Sequence, residues 1–289
     1  MATKNHSRSR RTHEELTANS RRRGCKWLQV LAALRFSPRF SRSCRGFAGP
    51  SVVKWGAMKI AMRPRWRELL FLHWPIEPQV LEPLLPPELE ADTFEGRAYV
   101  GLVPFLMRDA RPQLLPNLGL RHLTDDFAEV NVRTYVRHCG ENPGVWFFSL
   151  DAASLPAVVA ARLWFKLPYF WARMHTRSAG RYYSRRLWPA PRPAACRLKY
   201  ALSPAQPGPA EPGSLEEFLV ERYLLYSRRG EQLFRGRVVH EPYRIQSAQV
   251  LELRENLVAA AGIQVLGAPT LAHYSAGVDV SVLPLEKLT

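Results

Sequence analysis

The sequence predicts an α+β fold built on one antiparallel sheet, closed or strongly curved, with a few helices outside it. Three observations carry this. Runs with strand character outnumber helical ones, and the segments between them read as hairpin turns rather than helical crossovers. A 46% apolar content with 11% aromatics over 289 residues is also enough to fill a sizeable core. No stretch approaches the roughly 18 consecutive apolar residues of a membrane-spanning helix, so the expectation is a cytoplasmic protein with no membrane partner.

The net charge of +16 is unevenly spread. Of the 41 Lys and Arg, 13 fall in residues 1–57 against only Glu14 and Glu15, which leaves 28 basic and 23 acidic residues for 58–289. The N-terminal segment is rich in Arg and Ser and lacks sustained periodicity apart from WLQVLAAL at 27–34. It cannot bury enough apolar surface to offset its ordering entropy and is expected to be disordered. SRRRGCK at 20–26 has a twin-arginine flavour without the long apolar run that should follow, and an Arg-rich presequence is a second reading. The favoured expectation is that translation starts at Met58 or Met62, where domain-like patterning begins abruptly. As a basic arm the segment is the one place where contact with nucleic acid is expected; the body, 58–289, is a single domain and only mildly basic.

The elements follow in order. Residues 75–105 begin as a short helix punctuated by prolines, turn near Gly96 and continue as a strand through 100–105. Residues 129–152 read as a hairpin, in which Val130, Val132, Thr134 and Val136 alternate with polar neighbours and GENPG supplies the turn. Ser154 then caps a helix over 155–167, with Pro156 in its first turn and Pro168 as its stop. Residues 181–188 and 196–202 are strands, and 203–214 is a Pro/Gly loop. Ser214 and Glu217 form a capping box for a helix to about Arg222; 223–240 is a second hairpin around Gly230, and the chain ends in an alternating strand.

Glu129, Asn131 and Arg133 share one face of the first hairpin at intervals of roughly 7 Å. If that face lines a hollow, they bring a carboxylate, an amide and a guanidinium into one volume: Glu129 as acid or base, Asn131 and Arg133 as ligand-binding groups. If the sheet is wet on that side, they form a cross-strand polar network instead. The histidines show no HExxH-like spacing, and Cys25, Cys44, Cys139 and Cys196 form no zinc pattern, so no metal and free thiols are expected. His73 and His240 end strands and read as structural, their rings bonded to backbone groups. No glycine-rich strand–turn–helix and no GxSxG elbow is present, which leaves no support for NAD, ATP or serine-hydrolase chemistry, and no cofactor is expected.

The blocks FLHWPIEPQVLEPLLPPELEADTFEGRAYVGLVPF, EVNVRTYVR, PGVWFFSLDA, ARLWFKLPYFWARM, LEEFLVERYLLYSRRGEQLFRGRVVHEPY and HYSAGVDV, spanning about 65–287, resemble the bacterial DUF2071 or YqjF-like family. That family is grouped with the acetoacetate decarboxylase-like superfamily. The resemblance implies an antiparallel sheet curled into a cone or barrel with outer helices and an internal pocket for a small organic ligand; a homo-oligomer is left open. In the decarboxylases a lysine just after a proline forms a Schiff base with a ketoacid, and a second lysine beside it lowers its pKa. The equivalent stretch here is FKLPYF, where Pro168 is followed by Tyr169 and Phe170, neither an amine. Tyr169 is therefore carried as a hydrogen-bond donor or general acid. Lys166 is carried as a ligand-binding candidate, although it shares a stripe with Arg162 that reads most cheaply as the hydrated face of the helix. An imine route is not expected.

Overall fold

The structure is a computed structural model that describes residues 60–110, 126–177, 180–189 and 193–288, all within the unit Val52–Thr289. The expectations for residues 1–57 and for a start at Met58 lie outside the described residues. Among the described residues fourteen strands form one sheet: β1 (Arg65–Ile76), β2 (Leu89–Ala91), β3 (Ala98–Arg108), β4 (Phe127–His138), β5 (Glu141–Ala152), β6 (Tyr169–Arg177), β7 (Arg181–Trp188), β8 (Ala195–Leu202), β9 (Leu224–Arg229), β10 (Gln232–Val239), β11 (Ile245–Glu255), β12 (Leu271–Asp279), β13 (Ser281–Val282) and β14 (Glu286–Lys287). Four α-helices accompany them among the described residues: α1 (Pro78–Leu81), α2 (Leu155–Trp164), α3 (Leu215–Val220) and α4 (Leu257–Ala260).

The sheet closes on itself. Pairing runs β5-β6-β7-β8-β11-β12-β1-β3-β4 and returns to β5, which gives a ring that is antiparallel except at β5–β6. The sheet also branches at β5, because β9 pairs with it at Val145 and Trp146 while β6 pairs at 150–152. From β9 the branch continues through β10 to β13, and Val282 bridges Met62 just ahead of β1. A second, smaller ring is thereby closed, and β1, β3, β4 and β5 are the wall common to both.

Strand periodicity explains how one wall serves two interiors. Along β1, β3 and β4 the even-numbered Leu70, Leu72, Val100, Leu102, Val130 and Val132 pack in the first ring with Met174, Cys196 and Leu198. The odd-numbered Leu69, Phe71, Val103 and Phe105 pack in the second with Val220, Val238 and Tyr243. A strand walled on both sides buries both faces, and nine of the twelve residues of β4 are buried, three of them polar or charged: Glu129 and Asn131 on the odd face and Thr134 on the even one.

Local chemistry sets the element ends. The β4–β5 turn is Cys139–Gly140, both at positive φ (55° and 72°), as a two-residue hairpin loop requires. It shares Gly140 with the expected GENPG turn, whose remaining residues 141–144 belong to β5. The α2 cap is as expected, with the Ser154 hydroxyl accepting from the Ala157 amide at 3.3 Å, but the helix stops at Trp164, short of 167. Lys166 has left the helix with φ 57°. The Ser214 hydroxyl accepts from the Glu217 amide at 3.1 Å to open α3. Strands β6 and β11 lack a clean alternation signal in the sequence, and β5–α2–β6 is a parallel crossover among the expected hairpins. Among the described residues Cys196 is a buried free thiol.

Candidate functional site

The first ring is filled. Its polar content includes an ion pair in which Arg186 donates to Asp151 at 2.7 and 3.0 Å, with the guanidinium 3.7 Å from the centre of the Phe170 ring, and the buried hydroxyls of Tyr182 and Ser184 on the same face of β7. The second ring holds a cavity of about 140 Å³, walled by the odd face of β1, β3 and β4, by β5, and by the inner side of α2. Its lining is largely hydrocarbon and aromatic, with Glu129, Asn131, Arg133, Tyr169 and Arg222 as the strongly polar exceptions.

Glu129 lies between Phe105 of β3 and Ala152 of β5 and is 1% exposed. The Tyr169 hydroxyl donates to its carboxyl, 3.2 Å from each oxygen. Tyr169 is brought there by Pro168, whose carbonyl accepts from the Leu150 amide as β6 begins alongside β5. Burial among apolar groups pushes the Glu129 carboxyl up to about 8; the Tyr169 hydrogen bond opposes this and the Asp151 charge adds to it. The Tyr169 phenol is driven well above its ordinary value by the same burial and by the facing carboxyl. Both shifts favour the neutral form of each group.

Two residues further along β4, Asn131 is 7% exposed and its Oδ1 has no protein partner. Beyond it, the Arg133 guanidinium donates to the Leu219 carbonyl at 3.1 Å and lies 5.5 Å from the Phe71 ring centre, while its Nε is unpartnered. Arg222, at the end of α3, meets Asp92 at 2.9 Å, donates to the Phe218 carbonyl at 2.8 Å and keeps Nη2 unpartnered. The sequence marked Arg222 only as the end of a capped helix. The Trp66 indole nitrogen, also a lining donor without a partner, carried no sequence signal at all.

The structure therefore brings Glu129, Asn131, Arg133 and Tyr169 to one cavity and leaves Lys166 out. Lys166 is not among the lining residues; its ammonium donates to the Leu163 carbonyl and satisfies an open acceptor at the end of α2. The helix ends before Lys166, so the stripe shared with Arg162 does not form; Arg162 instead donates to the Tyr169 carbonyl at 2.6 Å. His73 is fully buried, and its Nε2 lies 2.6 Å from the Tyr135 hydroxyl. That hydroxyl spends its proton on the Leu219 carbonyl at 2.7 Å, so Nε2 carries the histidine proton, and burial followed by the Arg133 charge holds the ring neutral. The partner is a side chain rather than the expected backbone group. Among the described residues no group of three or more His, Cys, Asp or Glu side chains is placed to hold a metal ion, and no helix is long and apolar enough to cross a membrane.

Comparison with known proteins agrees with this architecture. The chain is 38% identical over 231 residues to the uncharacterized protein YqjF of Bacillus subtilis (strain 168), covering 78% of this chain and 92% of that protein. Among solved structures, acetoacetate decarboxylase from Legionella pneumophila superposes with a TM-score of 0.54 at 14% identity, over 84% of this chain and 93% of that one. The enduracididine biosynthesis enzyme MppR complexed with pyruvate gives 0.51 at 13% identity, over 85% and 99%. These likenesses show the fold: a curved sheet of acetoacetate decarboxylase-like type. Residues 63–279 match the DUF2071 family, described as an uncharacterized conserved protein, and the chain belongs to that family.

Proposed function

We propose that the second ring binds a small organic compound bearing a carbonyl or carboxylate, and that Glu129 acts on it as a neutral acid. The observation that carries this is a carboxyl buried in a largely apolar cavity with Tyr169 at hydrogen-bond distance, a setting whose desolvation raises its pKa to about 8. A general acid works best when its pKa lies near the operating pH. The Glu129 O–H donates a hydrogen bond to the ligand's carbonyl or carboxylate oxygen and polarises it, and the Tyr169 hydroxyl donates to the Glu129 carboxyl and holds it in place. Asn131 and Arg133 orient the ligand, Arg133 by accepting a negative end. Fold neighbours that act on acetoacetate or carry pyruvate support the ligand class. No amine lines the cavity among the described residues, which supports chemistry without an imine. A non-catalytic binding scaffold is the second reading, favoured by how little of the lining is polar.

The test is titration of full-length protein with 2-oxobutyrate and phenylpyruvate, followed by tryptophan fluorescence, with borohydride added in parallel. Saturable binding is expected, weakened about ten-fold or more in Glu129→Gln and Tyr169→Phe through loss of a charge-assisted or buried hydrogen bond, with no borohydride-trapped adduct. A covalent adduct on Lys166, or affinities unchanged in both variants, contradicts the proposal. Binding with no release of altered ligand assigns the protein to the scaffold reading.

A further inference from the structure

The cavity has two polar poles rather than one. At the first lie the Glu129 carboxyl and the Tyr169 hydroxyl. At the other lie Arg133 and Arg222, and the Arg222 side chain is only 7% exposed. Both guanidinium groups are partly satisfied by protein, Arg133 by the Leu219 carbonyl and Arg222 by Asp92 and the Phe218 carbonyl. Each nevertheless retains a buried N–H with no protein partner, Nε of Arg133 and Nη2 of Arg222, and both residues line the cavity. Unmade hydrogen bonds on buried cations are costly, so an acceptor bearing negative charge is the group these two donors call for. Asp92 does not already neutralise them both: it is shared between Arg222 and Arg137, which donates to it at 2.7 Å.

Between the poles the lining is apolar apart from Asn131, whose Oδ1 has no protein partner, with Leu150 opposite Asn131 and Phe147 opposite Arg133 across β5. Glu129 and Arg133 are four residues apart on one strand, roughly 13 Å at about 3.3 Å per residue, which an extended chain of about eight to ten carbons spans. A compound the size of acetoacetate reaches one pole only.

We infer that the ligand is an elongated organic acid with an apolar body, its carboxylate clamped between Arg133 and Arg222 and its far end delivered to Glu129 and Tyr169. This rests on the reading of the cavity proposed above and adds Arg222 as a specificity-determining residue. The apolar body accounts for the hydrocarbon lining, and the two arginines account for donors that would otherwise be buried without partners.

The experiment is calorimetric titration of the full-length protein with butyrate, octanoate, decanoate and tetradecanoate, each beside its methyl ester. Octanoate and decanoate should bind at least about ten-fold tighter than butyrate, since each buried methylene adds to affinity, and about ten-fold tighter than their own esters, which cannot accept from two cations with a full charge. Arg222→Gln should lower octanoate affinity about ten-fold and leave methyl octanoate unchanged. Because that variant strands the buried Asp92 beside Arg137 alone, the double variant Asp92→Asn/Arg222→Gln is measured as well, with the same outcome expected. Equal affinity for acid and ester in the unaltered protein, or tightest binding by butyrate, overturns the inference. If 2-oxobutyrate binds in a Glu129-dependent manner while octanoate does not bind, the two-pole inference fails and the carbonyl-site reading stands. If neither binds, both fail.

Discussion

Glu129 concentrates the consequences at the scale of the residue. Its carboxyl is raised from 4.5 to about 8, so between those values the folded protein holds a proton that the unfolded chain releases. Stability therefore falls as pH rises through this window, by up to about 1.4 kcal/mol per unit where the difference is fully expressed, and levels off above it. The groups that set the slope are Glu129 itself, the Tyr169 phenol facing it and the Asp151 carboxylate behind β4. Glu129→Gln keeps the acceptor for Tyr169 and removes the titration. Urea unfolding of both proteins from about pH 6 to about pH 9 should show the variant gaining stability relative to the unaltered protein as pH rises; parallel curves would mean that Glu129 is ionised throughout. The pairing of Glu129, Asn131 and Arg133 on one face was legible from strand periodicity alone, because alternate residues of a strand share a side whatever the tertiary context. Whether that side was wet or enclosed was not legible, since the alternation with Val130 and Val132 reads as a one-sided sheet. Arg222 was invisible for a different reason. Its Phe218 contact is local, four residues back along α3, but Asp92 comes from the border of β2, a meeting that only tertiary structure makes.

At the scale of the element, the cavity depends on β9 docking against the middle of β5. Gly144 makes this approach close: a Cβ there would sit 2.8 Å from the Leu224 carbonyl oxygen and 2.8 Å from the Tyr226 ring. Gly144→Ala is expected to push β9 away and destabilise the fold by about 1–3 kcal/mol, with faster amide exchange in β9 and β10 than in β7 and β8; uniform exchange would show that the branch is not held at this point. Capping signals predicted the starts of α2 and α3 because a hydroxyl accepting from the amide three residues on is a local interaction. The end of α2 was misplaced because Pro168 restricts only the residue before it, while Lys166 in the left-handed region ended the helix earlier. The hairpin turn was misplaced by the pull of Asn142 and Pro143, although Cys139–Gly140 supplies both positive φ values.

For the whole molecule, the central feature is one wall of β1, β3, β4 and β5 serving two hollows, one filled by hydrocarbon around the Asp151–Arg186 pair and one left as a cavity. A curved antiparallel sheet was readable from the predominance of strand runs over helical ones. The branch was not, because β5 carries no mark that two strands share its far edge; that pairing joins segments some eighty residues apart. The arrangement also explains how a carboxyl can be kept protonated: a strand buried on both faces offers Glu129 no route to solvent, so neutralisation costs less than ionisation. This is most directly examined by infrared difference spectroscopy of the full-length protein against Glu129→Gln across a pH titration. A protonated-carboxyl C=O band at neutral pH, absent from the variant and lost with a midpoint near 8, is the predicted result. A Glu129 carboxylate signal already complete at about pH 6 would contradict the account.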